Sequence, residues 1–316
     1  MTRILGIVLT GLLLLATGHA NAAGPLIDTE WVKSNLGKPG IVFLDVRGGL
    51  ANKSQKDYLE AHIPGAVYTD YLKGGWRGKD AGGTPGQLAP IDKLEKLIGD
   101  LGIDNDTHVV VIPNGGTALD MGTGTRIYWT FKVLGHDNVS LLNGGMMDYL
   151  SAVDEKTKKP LNPLESGENK PQAKTFKATF RPEMLASKAD IIEAQKSNIT
   201  LIDNRPYDQF LGLNKHDKAK RMGTIPGAVS LPENWLTLGG GGKFRPTSSL
   251  AKLYSTQKIA TTGKQISFCN TGHWASLGWF VSHELMGNKD ALMYDGSMLE
   301  WSADNSLPID QKINAE

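Results

Sequence analysis

The stretch ISFCNTGHWASLGWF, residues 266–280, holds Cys269, the one cysteine in a chain of 316 residues. The thiol follows the short apolar run QISF and precedes a run of apolar and aromatic residues that reads as a helix. A cysteine between a strand end and a helix start can be a nucleophile, because backbone N–H groups there favour an anion. Gly272 permits a loop tight enough to turn its amides inward. Asn270, Thr271 and Gly272 are expected to act through their backbone N–H groups, and Thr271 also through its hydroxyl. His273 is read either as a solvated loop residue or as a cation near neutral pH that attracts an anionic substrate, and Trp274 either as a packing residue at the helix start or as a wall of the pocket. The competing reading of Cys269 is a small buried hydrophobe.

Two kinds of chemistry use a thiolate in such a cradle. Cysteine phosphatases need C-x5-R, whose arginine clamps phosphate bidentately. The residue six after Cys269 is Ala275, which counts against that chemistry. The other is sulfur transfer, in which the thiolate accepts a sulfane sulfur as a persulfide and passes it on.

The compartment sharpens the choice. Arg3 is followed by the apolar stretch Ile4–Ala16 and the small-residue pattern Ala20-Asn21-Ala22, the layout of a cleaved leader. The apolar stretch is shorter than the roughly 20 residues that span a bilayer. The expectation is a signal peptide over 1–23 and a periplasmic or secreted protein with no membrane contact after cleavage. Exported proteins usually pair their cysteines, so an odd one suggests a reactive thiol. The 34 Lys and Arg balance the 33 Asp and Glu, which argues against a nucleic-acid partner. The six histidines beyond the leader are scattered, and no metal-binding spacing occurs.

The elements that must position the thiol occur twice. IVFLDVRGG (41–49), EAHIPGAV (60–67), HVVVIPNGG (108–116) and VSLLNGGMMDY (139–149) recur in order as ITLIDNRPY, RMGTIPGAV, KQISFCNTG and ALMYDGSMLEW. Four ordered matches indicate a duplication: one domain over 24–150, a Pro-, Lys- and Glu-rich linker over 151–175, and a second domain over 176–316. Within each copy, short buried-strand candidates such as VVVI and QISF alternate with helical runs ending at glycine, the βαβ pattern of a parallel sheet. Ligands bind at the carboxyl ends of such strands, where Cys269 stands. Pro113 occupies the matching place in the first copy and cannot be a nucleophile, so that domain is expected to be catalytically silent.

The paired D-x-R and IPGA patterns, the strand ending in Cys269 and the closing YDGSMLEW resemble the tandem-domain rhodanese-type sulfurtransferases, the thiosulfate and 3-mercaptopyruvate sulfurtransferase family, here in an exported form. The resemblance covers nearly all of the chain beyond the leader. It implies an α/β fold of two tandem domains, each a mainly parallel sheet flanked by helices, with the active loop Cys269–Trp274 facing the domain interface. It implies transfer of sulfur from an anionic small-molecule donor, thiosulfate or 3-mercaptopyruvate, through a Cys269 persulfide to a thiophilic acceptor, without cofactor or metal. An alternative is a periplasmic sulfur or selenium carrier that delivers the persulfide to a protein partner.

The chain also departs from the family. CNTGHW matches neither the C-R-K-G loop of thiosulfate-selective members nor the C-G-S/T-G-V-T loop of those using 3-mercaptopyruvate. Gln209 stands where members often carry an arginine, four residues after Arg205. Arg205 is therefore retained as a substrate-binding candidate beside its structural pairing with Asp203, and Arg221 is a weaker one. GGGGKFRP (239–246) reads as a flexible loop by composition, and its Lys243 and Arg245 are further candidates for the missing cations. His62, Asp45 and Arg47, in the silent copy, are expected to be structural.

Overall fold

The β-branched and apolar runs become the middles of two parallel sheets. The computed structural model describes residues 23–314; the expected leader, apart from its last residue, lies outside the described residues. The first half contains β1 (Leu26–Ile27), α1 (Thr29–Ser34), β2 (Ile41–Asp45), α2 (Gln55–Glu60), β3 (Val67–Tyr68), β4 (Arg77–Lys79), β5 (Pro85–Leu88), α3 (Ile91–Asp100), β6 (His108–Ile112), α4 (Ala118–Val133), β7 (Val139–Leu142) and α5 (Gly145–Ser151). The second half contains β8 (Leu185–Ala186), α6 (Lys188–Ala194), β9 (Thr200–Asp203), α7 (Tyr207–Leu211), β10 (Val229–Ser230), α8 (Thr247–Thr256), β11 (Gln265–Phe268), α9 (His273–Trp279), β12 (Ala291–Tyr294) and α10 (Ser297–Ala303).

The sheets run β1-β7-β6-β2-β3 and β8-β12-β11-β9-β10, every pairing parallel. The two orders superimpose strand for strand, which confirms the duplication. Helices on both faces bury β11 completely, as a parallel sheet requires. The match of Pro113 with Cys269 is visible in the backbone. Met298 and Leu299 donate their amides to the carbonyls of Cys269 and Asn270, at 2.9 and 3.1 Å. Met146 and Met147 donate to those of Pro113 and Asn114, at 2.9 and 2.8 Å.

The two domains meet along α4 and α9. Almost every residue of α4 is buried, so it lacks the polar face of a surface helix. It starts at Ala118, where Thr117 and Asp120 form a capping box. Gly135, at φ +83°, ends the run beyond it as expected. Helix α9 starts at His273, and its continuation over Phe280–Leu285 winds as a π-helix. Thr125 and Ser276 hydroxyls bond across the seam at 2.7 Å. Tyr128 meets Phe280 edge-on, ring centres 4.9 Å apart. Among the described residues no helix is long and apolar enough to cross a membrane.

The linker packs rather than floats. Lys174, Thr179 and Arg181 donate their amides to the carbonyls of Gly99, Leu134 and Val133 at 2.8–2.9 Å, and Phe176 is buried. Residues 176–181, read from sequence as the start of the second domain, therefore lie on the first, and the second sheet begins at Leu185.

Candidate active site

Cys269 is buried immediately beyond the carboxyl end of β11. Its position is fixed by Ser297. The hydroxyl oxygen of Ser297 accepts from the amides of Cys269 and Gly272 at 3.0 and 3.2 Å and donates to the carbonyl of Tyr294 at 2.8 Å. One donor and both acceptor positions of the hydroxyl are thereby used. Ser297 does this from φ +50°, a left-handed conformation that residues bearing a side chain rarely hold.

A second brace comes from the other domain. Arg126 on α4 grips Asp295 bidentately at 2.5 and 2.8 Å and donates to the carbonyl of Gly272 at 3.1 Å. Both side chains are almost wholly buried. The amide of Leu88 adds a bond to Asp295 at 2.6 Å. The strand pair β4–β5 of the first domain thus lies over the active loop of the second. Arg77 on this arm donates from Nη2 to the carbonyl of Thr271 at 2.5 Å and from Nε to that of Gly86 at 2.9 Å.

The arrangement is reciprocal. The arm at 236–245 of the second domain lies over the Pro113 loop of the first. There Phe244 donates its amide to Asn143 Oδ1 at 3.0 Å, and Gly144 donates to the carbonyl of Gly242 at 3.1 Å. Backbones meet so closely that a Cβ on Gly242 would strike Gly115. The glycine run read as a flexible loop is thus a backbone plug over the Pro113 loop. Its cations do not reach Cys269. Lys243 pairs with Asp148 at 2.6 Å, and Arg245 Nε donates to the carbonyl of Trp235 at 2.7 Å.

Over Cys269 the arms leave a cavity of about 530 Å³. Asn270, Thr271, His273 and Trp274 line it with Cys269, alongside apolar Leu50, Leu72, Leu119, Pro85 and Leu299, and the basic residues Arg77, Lys218 and His216. The amides of Asn270 and Thr271 have no partner among the described residues, whereas that of Gly272 is held by Ser297. The expectation that Gly272 offers its N–H to a substrate is corrected accordingly. Asn270 donates from Nδ2 to Gln209 Oε1 at 2.9 Å. A neutral amide pair therefore stands where the family often carries charge.

His273 differs most from expectation, and of the two readings of Arg205 the structural pairing is the one found, while the substrate-binding one is corrected. The imidazole of His273 is clamped by the first domain: Nε2 donates to the carbonyl of Leu119 at 2.7 Å, and Nδ1 accepts from the Tyr71 hydroxyl at 2.9 Å. Burial, with the nearby Arg77 cation second, holds its pKa down to about 3. His273 is a neutral interdomain peg, neither a solvated loop residue nor a cation. Arg205 is fully buried away from the cavity and spends its guanidinium on Asp203, with Nη2 2.5 Å from Oδ2, and on the carbonyl of Gly223 at 2.9 Å. Asp45 and Arg47 form the same pair in the first domain. Arg221 bonds the carbonyls of Trp301, Ser302, Asp304 and Leu307, so it locks α10 and the residues beyond it.

Ser297, Asp295, Arg126, Tyr71 and Arg77 were not singled out in the sequence. Aligning the repeats offers a signal for two of them. Asn143-Gly144-Gly145 in the silent copy faces Asp295-Gly296-Ser297 in the copy that holds the thiol. No comparable signal marks Arg126 or Arg77, which act on the other domain's loop.

The rhodanese-like domain family matches the chain twice, over residues 28–152 and 187–304. Thiosulfate sulfurtransferase from Bos taurus is 31% identical over 287 residues, covering 87% of this chain and 91% of its own. A putative thiosulfate sulfurtransferase from Mycobacterium tuberculosis is 30% identical, covering 90% and 97%. The fold is similar to that of the 3-mercaptopyruvate sulfotransferase SseA of Escherichia coli, with TM-score 0.70, 23% identity and 89% and 100% coverage. It is also similar to the sulfur transferase subunit of yeast mitochondrial complex I, with TM-score 0.75, 24% identity and 93% and 100% coverage. With the thiol at a strand end and two superimposable sheets, these likenesses show that the chain belongs to the tandem-domain rhodanese sulfurtransferases.

Proposed function

We propose that Cys269 carries sulfur as a persulfide between an anionic donor and a thiophilic acceptor. The observation that carries this reading is the lone thiol at the floor of a cavity shared by both domains, held by Ser297 and roofed by the first domain's arm. As a thiolate, Sγ attacks the sulfane sulfur of thiosulfate. The bond between that sulfur and the sulfonate sulfur breaks, and its electron pair leaves with sulfite. A nucleophilic acceptor, cyanide or a thiolate, then attacks the outer sulfur of the persulfide, and the Cys269 thiolate departs. The free amides of Asn270 and Thr271 supply donors for the anion.

The first domain serves as roof and brace. Its own Pro113 loop lacks a nucleophile and is plugged by Gly242. The leucine-rich wall of the cavity also accepts an organic donor such as 3-mercaptopyruvate. The leader reading places this chemistry outside the cytoplasm, and N-terminal sequencing of protein from its source cell tests it: a mature chain beginning near residue 23 is expected.

Steady-state assays with thiosulfate and cyanide, and with 3-mercaptopyruvate, test the activity. Repeated turnover supports the enzyme. A single sulfur loaded per chain without turnover favours the carrier.

A further inference from the structure

We infer that Arg77, contributed by the catalytically silent first domain, is the substrate-binding cation that seats the anionic head of the sulfur donor beside Cys269. The inference rests on the reading of Cys269 as the nucleophile and adds the origin of the positive charge that the active loop lacks.

An anion leaving water for a partly enclosed cavity needs fixed positive charge or aligned donors. The loop itself supplies no charge, because His273 is neutral and Asn270 pairs with Gln209. The buried guanidinium of Arg126 also touches the loop, but Asp295 neutralises it at 2.5 Å. Arg77 differs on three counts. It lines the cavity with Cys269. It has no carboxylate partner among the described residues. Its bonds to Thr271 and Gly86 use two of five N–H donors, leaving both Nη1 protons and one on Nη2.

Its place is also fixed. The guanidinium carbon lies 5.5 Å from the centre of the Tyr71 ring, and the Nη2 bond anchors it two residues from the thiol. Lys218 also lines the cavity, but its ammonium is exposed and untethered, so water and salt screen it more strongly. His216 sits against the Asp217 carboxylate at 2.7 Å. Among the described residues, Arg77 is thus the one cavity cation that is both without a carboxylate partner and held by hydrogen bonds, and it compensates for the neutral Gln209.

The single cysteine makes the test direct, since every alkylation reports on Cys269. Iodoacetate is anionic and iodoacetamide neutral, so the ratio of their rates reads the local potential without any sulfur donor. That separates this inference from the question of sulfur transfer. Arg77→Gln is expected to lower the iodoacetate-to-iodoacetamide ratio about three- to tenfold and to raise KM for thiosulfate. Arg77→Lys is expected to restore most of the ratio, and 0.5 M salt to shrink the wild-type ratio toward that of Arg77→Gln. Equal slowing of both reagents in Arg77→Gln would show that Arg77 only buttresses Thr271 and would overturn the inference. So would a ratio that falls in Lys218→Gln but not in Arg77→Gln. Should Arg77→Gln fold poorly, a wild-type iodoacetate-to-iodoacetamide ratio no higher than that of N-acetylcysteine at the same pH refutes it alone.

Discussion

Ser297 Oγ stands 3.0 Å from the amide nitrogen of Cys269 and takes its hydrogen bond, so the thiol is placed by a side chain 28 residues further along the chain. The same oxygen holds the Gly272 amide. Ser297→Ala would leave both buried donors unpaired, a loss of about 1–3 kcal/mol for each. The loop would then drift, and misplacement of about 1 Å can cost on the order of a hundredfold in rate. Expected is a fall in kcat of ten- to a hundredfold with a smaller change in KM, measured by steady-state kinetics. Unchanged kcat would show that the loop holds its shape without Ser297.

The Arg126–Asp295 pair is a buried electrostatic link between the domains. Removing one partner of such a pair leaves an uncompensated buried charge, which costs about 3–5 kcal/mol. Arg126→Met and Asp295→Asn should each destabilise by that order in urea unfolding. The double variant should lose clearly less than the sum, because contacting residues couple. Additive losses would mean that the pair is not interacting as the geometry indicates.

His273 links stability to acid. Its pKa near 6.5 in an unfolded chain falls to about 3 when buried. Between those values the unfolded state binds the extra proton, so stability rises with pH there. The contribution is whole above about 6.5 and is lost progressively toward about 3. Going from pH 7 to pH 5, the native protein should lose about 2 kcal/mol more than His273→Gln, read from urea midpoints at each pH. Parallel losses would place the proton elsewhere. A further consequence is that the pH profile of kcat/KM should carry no limb from His273 near neutrality.

Gly122 packs where the His273 ring lies, and a Cβ there would fall 2.5 Å from Nε2. Gly122→Ala should gain about 1 kcal/mol of helix propensity yet lose more to overpacking, about 1–3 kcal/mol. A net fall in Tm is expected. A rise would show that the α4–α9 seam yields easily.

Much of the fold was legible. The fourfold ordered repeat gave two sheets of one topology, and the match of Pro113 with Cys269 is seen in equivalent backbone bonds. The loop was legible as a set of residues but not as a set of roles. Local spacing could not show that Leu119 and Tyr71, from the other domain, would clamp His273 and strip it of charge. The pairing of Arg205 with Asp203 was legible in the D-x-R pattern, but not that the Gly223 carbonyl would take a further share of its guanidinium. Arg77 and Arg126 stayed hidden because each acts across an interface that sequence periodicity does not encode. The glycines at 239–242 looked flexible by composition, whereas their lack of side chains serves close backbone contact with Gly115.

On the proposed function, Cys269 alone carries the transferred sulfur. Intact-mass spectrometry after incubation with thiosulfate, followed by desalting, tests it most directly. The expected result is a gain of one sulfur atom per chain in the wild type, discharged by cyanide, with no gain in Cys269→Ser. A wild-type chain that gains no sulfur from thiosulfate or 3-mercaptopyruvate, or a Cys269→Ser chain that still does, would contradict it.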